Sequence, residues 1–165
     1  MVTEIEKKYE EHKLIKQETR LTIIISLALL VSVGIYTALA AIIKFKPLVD
    51  ETSLKNAYDF INLIVIVLII IVLGVRRSVY YSPRFIPEGS TLTRVLQKWR
   101  SIDIALLALA EIIPLGGLVI TILGMPFNRT FHLFLGGALL MIILMPVPIK
   151  VRSKLSILRR THTDL

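Results

Sequence analysis

The chain contains no cysteine, one tryptophan and three histidines among 165 residues. Without cysteine there is no disulfide, no thiol nucleophile and no thiolate-held zinc or iron–sulfur centre. His12, His132 and His162 fall in a leading segment, at the edge of an apolar block and in a tail. Haem ligation inside a helical bundle needs inward histidines on facing helices, and these do not supply them. No Walker loop, nucleophile elbow or HExxH occurs either. The expectation is no catalytic residue, no metal site and no cofactor, hence a non-enzymatic role.

Charge is scarce over long stretches. Hydrophobic residues make up 55% of the chain and the mean hydropathy is +0.73. The apolar residues are gathered into blocks, which is the composition of an integral membrane protein that crosses the bilayer several times. A block of about 18 or more apolar residues crosses the ~30 Å hydrocarbon layer as a helix. Spans are expected at about 21–43, 57–75, 102–124 and 131–149. The second, "INLIVIVLIIIVLGV", is β-branched enough to suit a strand. Strands in lipid must close into a barrel, and nothing else here alternates with period two, so the reading is a helix. The fold class is therefore an all-α, four-transmembrane-helix bundle.

The excess of basic residues orients it. Lys and Arg outnumber Asp and Glu by 20 to 12. Sixteen of the 20 lie before the first span, between the second and third, or after the fourth; Lys44, Lys46, Lys55 and Arg129 lie in the other two loops. The positive-inside rule then places both termini in the cytoplasm of a multi-pass cell-membrane protein, and removes the need to invoke nucleic acid. "ALAA" at 38–41 resembles a signal-cleavage site. Five glutamates in the first 20 residues and an over-long apolar run argue against cleavage.

Three segments lie outside the spans. Residues 1–20 read as a charged cytoplasmic helix with pairs such as Glu4 and Lys8 at i,i+4. The middle loop has turn chemistry at Ser82-Pro83 and Pro87-Glu88-Gly89. After it, with Ser90 as cap, Leu92, Val95, Leu96 and Trp99 make one apolar stripe, with Arg94 and Lys98 on other faces. This is a short interfacial helix on the membrane surface, or else an extension of the third span. Residues 150–165 form a basic cytoplasmic tail. The short loop before the fourth span contains the sequon Asn128-Arg129-Thr130.

Within the third span, "LALAEIIPLGGLVITILGMP" places Glu111 beside Pro114, Gly116 and Gly117. A charge at a helix centre costs roughly 2.5–3.5 kcal/mol on insertion scales. The 13 Leu, Ile and Val residues of this span offset it with about 4–8 kcal/mol. The helix can carry the acid, but cannot cheaply point it, charged, at lipid. No Lys or Arg lies at matching depth in another span, so partners are sought among Ser26, Ser32 and Tyr36, or at the acceptor oxygens that Pro114 leaves unpaired. The functional alternative is a proton or cation relay.

Small residues set the expected packing. Ala110, Pro114, Gly117, Thr121 and Gly124 recur at steps of four and three; Gly34 and Ala38 in the first span and Gly136 and Gly137 in the fourth also allow close approach. The second span has almost nothing small and is expected to face lipid. Asp59, Asn62 and His132 could meet near the outer surface. Expected partners are the bilayer, anionic headgroups at the cytoplasmic face, and a membrane protein or a second copy. The leading expectation is an accessory or scaffold subunit of a membrane assembly; the alternative is a proton or cation translocating element that uses Glu111.

Overall fold

Four helices make up the fold: α1 (Glu4–Ile42), α2 (Glu51–Tyr81), α3 (Leu92–Ile122) and α4 (Phe127–Leu144). The computed structural model describes residues 4–42, 50–81, 92–146, 148 and 151. Each helix is long and apolar enough to cross a membrane. The turn motifs at Ser82-Pro83 and Pro87-Glu88-Gly89, the Ser90 cap and the tail after Val151 lie outside the described residues.

Local chemistry sets the helix ends. Asp50 caps α2: its Oδ2 accepts the Ser53 N–H at 2.9 Å and its carbonyl accepts the Leu54 N–H at 3.0 Å. The Ser53 backbone N–H, helped by the Ser53 side chain, holds the Asp50 carboxyl below its ordinary value of 3.8. α3 stops in a Schellman turn. Gly124, at φ 113°, donates its N–H to the Thr121 carbonyl, and the Met125 N–H reaches the Ile120 carbonyl. Gly124 is therefore a helix stop and not a packing residue, because only glycine adopts that φ without strain. α4 begins directly after Pro126 and ends before Pro146, which cannot continue the ladder. The fourth apolar helix thus covers 127–144, earlier than the expected 131–149. The sequon lies in its first turn, with Thr130 fully buried.

Two seams of 3.5-residue period define the packing. In α1, Ile15, Thr19, Thr22, Ser26, Val33 and Ala40 are buried, with Leu29 and Tyr36 half-buried on the same stripe. In α3 the buried positions Leu96, Trp99, Asp103, Leu106, Ala110, Ile113, Gly117 and Ile120 follow the same alternation. Alternating steps of three and four keep one stripe facing a long, nearly parallel neighbour. Glu18 with Arg100 and Ser32 with Glu111 fix α1 and α3 as parallel. Asn62 with His132 and Arg76 with Leu144 do the same for α2 and α4.

α3 is the centre. It packs on α1, α2 and α4, while α1 also packs on α4 and, among the described residues, has no extensive interface with α2. In the most apolar stretch of α2 only 6% of residues are buried, against 44% in α3. That agrees with the lack of small residues in α2: it lies at the edge, its outward face carrying Leu63, Ile66 and Ile70.

Residues 92–99 are not a separate helix. They are the first turns of α3, which runs unbroken into the third span. Val95, Leu96 and Trp99 are 3–4% exposed and cluster with Ile15, Val79 and Val151, with Leu92 packed against them. The apolar stripe expected to meet lipid meets protein instead, since α1, α2 and the segment after α4 converge there. Arg94 and Lys98 remain exposed around this second core.

Candidate functional site

Glu111 lies one residue, about 100°, from Ala110 on the α3 seam, so its side chain leaves the α3–α4 contact and meets the edge of α1. Ser32 and Tyr36, at i,i+4 on α1, share that edge. Ser32 Oγ donates to Glu111 Oε1 at 2.9 Å, and Tyr36 OH to the same oxygen at 3.3 Å. Ser32 Oγ is also 2.7 Å from the Leu29 carbonyl. One hydroxyl hydrogen therefore faces two acceptors. Oε2 has no hydrogen-bond partner among the described residues, and the side chain is half-buried. Ser26, the third hydroxyl in prospect, donates instead to the Thr22 carbonyl at 2.8 Å.

The residues grouped with Glu111 in sequence are divided among three interfaces. Pro114 is buried against α4: a Cβ on Gly137 would lie 2.5 Å from its Cδ. Gly117 faces Leu133 and Phe134, also of α4. Gly116 faces α2 through Ile61 at 3.4 Å. Glu111 alone faces α1, and its hydrogen bonds run to α1 hydroxyls rather than to the carbonyl freed by Pro114. Proline and paired glycines here serve close helix packing and do not form one opening beside the acid.

Of the small-residue seam, Ala110, Gly117 and Thr121 are buried, and Gly137 receives the Pro114 ring. Gly34 and Gly136 have no atom within 4 Å of a built Cβ, and Ala38 is exposed. These three point away from the packed core; buried Ala40 takes the place expected of Ala38. Thr121 joins α3 to α4 through Thr130, oxygen to oxygen at 2.8 Å.

Polar side chains tie the ends of the bundle. At the end opposite the N-terminus, Asn62 Nδ2 donates to the Tyr58 carbonyl and Asn62 Oδ1 lies 2.9 Å from His132 Nε2. Tyr58 OH donates to the Arg129 carbonyl at 2.9 Å, and its ring meets His132 edge-on. Asn62 and His132 come together as expected, but Asp59 is exposed and Tyr58 takes its place. At the other end Arg76 of α2 donates to the Ile143 and Leu144 carbonyls, a cation on the C-terminus of α4.

Asp103 is the residue that sequence reasoning missed. It is 2% exposed and lines a narrow cleft with Glu18, Thr22, Trp99 and Arg100. The Glu18–Arg100 ion pair, 2.8 Å long, closes one side. Asp103 falls at the start of the expected third span, and its step of four from Trp99 and three to Leu106 already put it on the seam. No group of three metal-ligating side chains occurs among the described residues. Comparison with known protein families, curated proteins and solved structures gave no match.

Proposed function

We propose that this chain is a non-enzymatic accessory or scaffold subunit of a larger membrane assembly. In this reading it lies in the cell membrane, crosses it four times and keeps both termini in the cytoplasm. One observation carries the role: three polar contacts within the apolar lengths join helices. Glu111 clasps α1 to α3, Thr121 joins α3 to α4 through Thr130, and Asn62 joins α2 to α4 through His132. A bundle held in this way presents outward apolar faces on α1 and α2, with Gly34 and Ala38 open to a neighbour. Small outward residues let another helix approach closely.

The orientation rests on the basic residues gathered at one end, among them Lys13, Lys16, Arg20, Arg77, Arg94 and Lys98. Each base near an anionic leaflet contributes ~1 kcal/mol, so anionic headgroups are the lipid partners at that face. Cysteine labelling in this cysteine-free chain reads the topology. Labelling of Glu88→Cys from outside alone refutes it. For the role itself, purification in mild detergents should give a stable hetero- or homo-oligomer; a well-behaved monomer in every detergent overturns the proposal.

The second reading is a proton or cation translocating element with Glu111 as the group that changes protonation. It is favoured by Oε2, which lacks a partner among the described residues. Flux through liposomes under an imposed gradient tests it. Wild-type flux lost in Glu111→Gln, with folding retained, promotes this reading; no wild-type flux, or equal flux in the variant, removes it.

A further inference from the structure

Two helices flank the outward face of α3 without packing on each other across it. Successive α3 side chains turn by about 100°. Leu115, Val119 and Ile112 therefore lie on the arc between Glu111, which faces α1, and Gly116, which faces α2. These three are 38%, 51% and 48% exposed. α4 occupies the other arc, with Pro114 and Gly117. The result is an apolar groove floored by α3, with a carboxyl on its α1 wall.

We propose that this groove docks a transmembrane helix of a partner protein, and that a lysine or arginine on that helix pairs with Glu111. The proposal rests on the accessory reading and says which face the assembly uses. The acid keeps acceptor capacity that the described residues leave unmet: Oε2 has no partner among them, and the single Ser32 hydrogen is divided between Oε1 and the Leu29 carbonyl. Hydrocarbon offers no donor, so a docked donor removes a standing penalty.

Depth identifies the occupant. Glu111 lies nine residues beyond Ile102, about 14 Å along the helix and near the middle of a ~30 Å layer, beyond the reach of a lipid headgroup. A second copy of this chain is also the wrong occupant. No Lys or Arg lies at that depth in any of its four apolar blocks, and a copy would bring a like acid. Charge complementarity thus calls for a different protein with a basic side chain near mid-membrane.

The test uses the full chain in phosphatidylcholine vesicles, labelled through Glu51→Cys at the exposed start of α2. The probe is a synthetic Leu–Ala transmembrane peptide of about 20 residues with one central lysine, compared with the same peptide carrying leucine there. Energy transfer should show the lysine peptide associating about ten-fold more tightly, the scale of one charge-assisted bond. Glu111→Gln keeps an acceptor for Ser32 and Tyr36 but removes the charge, and should abolish the preference. Leu115→Trp fills the groove without touching the clasp, and should block both peptides; it decides the matter if Glu111→Gln does not fold. Equal association of the two peptides, or a lysine preference that survives in the folded variants, overturns the proposal. A stable native assembly with no lysine preference refutes the groove and leaves the accessory role standing. A lysine preference with a monomer from native purification does the reverse.

Discussion

Replacing Gly137 by alanine places a Cβ 2.5 Å from Pro114 Cδ and 3.1 Å from Pro114 Cγ. Non-bonded carbons prefer about 3.5–4.0 Å, so α3 and α4 must part locally by about 1 Å. The proline ring has no rotamer by which to yield, and it is buried. Gly136→Ala is the internal control, because nothing lies within 4 Å of its Cβ. Both substitutions gain the same helix propensity, up to ~1 kcal/mol, and that gain cancels in the comparison. What remains is overpacking, so Gly137→Ala should be less stable than Gly136→Ala by about 1–3 kcal/mol. Gly117→Ala, at 3.1 Å from Leu133 Cβ, should fall between them. Reversible SDS-driven unfolding in mixed micelles, followed by helicity, measures all three. Equal stability of the two neighbouring alanine variants refutes the α3–α4 crossing described above.

Two further outcomes follow from the helix ends. Arg76→Leu leaves the Ile143 and Leu144 carbonyls without their cation; it should destabilise by about 1–3 kcal/mol and speed amide exchange in the last turn of α4 first, and uniform exchange along α4 counts against the cap. Asp50 has a lowered carboxyl, so its capping contribution is present above pH 3.8 and lost as pH falls through the lower folded value. An NMR titration should give a midpoint below 3.8 that Ser53→Ala moves part of the way back, since the amide donor remains; a wild-type midpoint at or above 3.8 contradicts the cap.

Several parts of the site were legible because they depend on few neighbours. Ala110, Gly117 and Thr121 recur at seam spacing, and the structure buries all three. Ser32 and Tyr36 were among the few hydroxyls able to reach Glu111 from the first span. Gly34, Ala38 and Gly136 show the limit of the same argument. A small residue permits close approach but does not require it, and a helix has several faces that can carry one. Gly124 followed the seam spacing, yet its position two residues before Pro126 marked a helix end, and that signal outweighs periodicity. The stripe from Leu92 to Trp99 is amphipathic whether it meets lipid or protein, so its pattern alone could not choose.

The sequence by itself determined that there are four long apolar helices, because the length and composition of each block depend only on the local chain. It also determined that Glu111 stands near the middle of the third without a cation at its depth. The tertiary structure decided which faces those helices use. It made α3 the centre, sent Glu111 to α1, Pro114 and Gly117 to α4 and Gly116 to α2, and buried Asp103 beside Thr22. The physical reason is rotational: residues one apart on a helix diverge by about 100°, so neighbours in sequence reach different helices. Only the packed positions of the other three settle which side chain finds a partner.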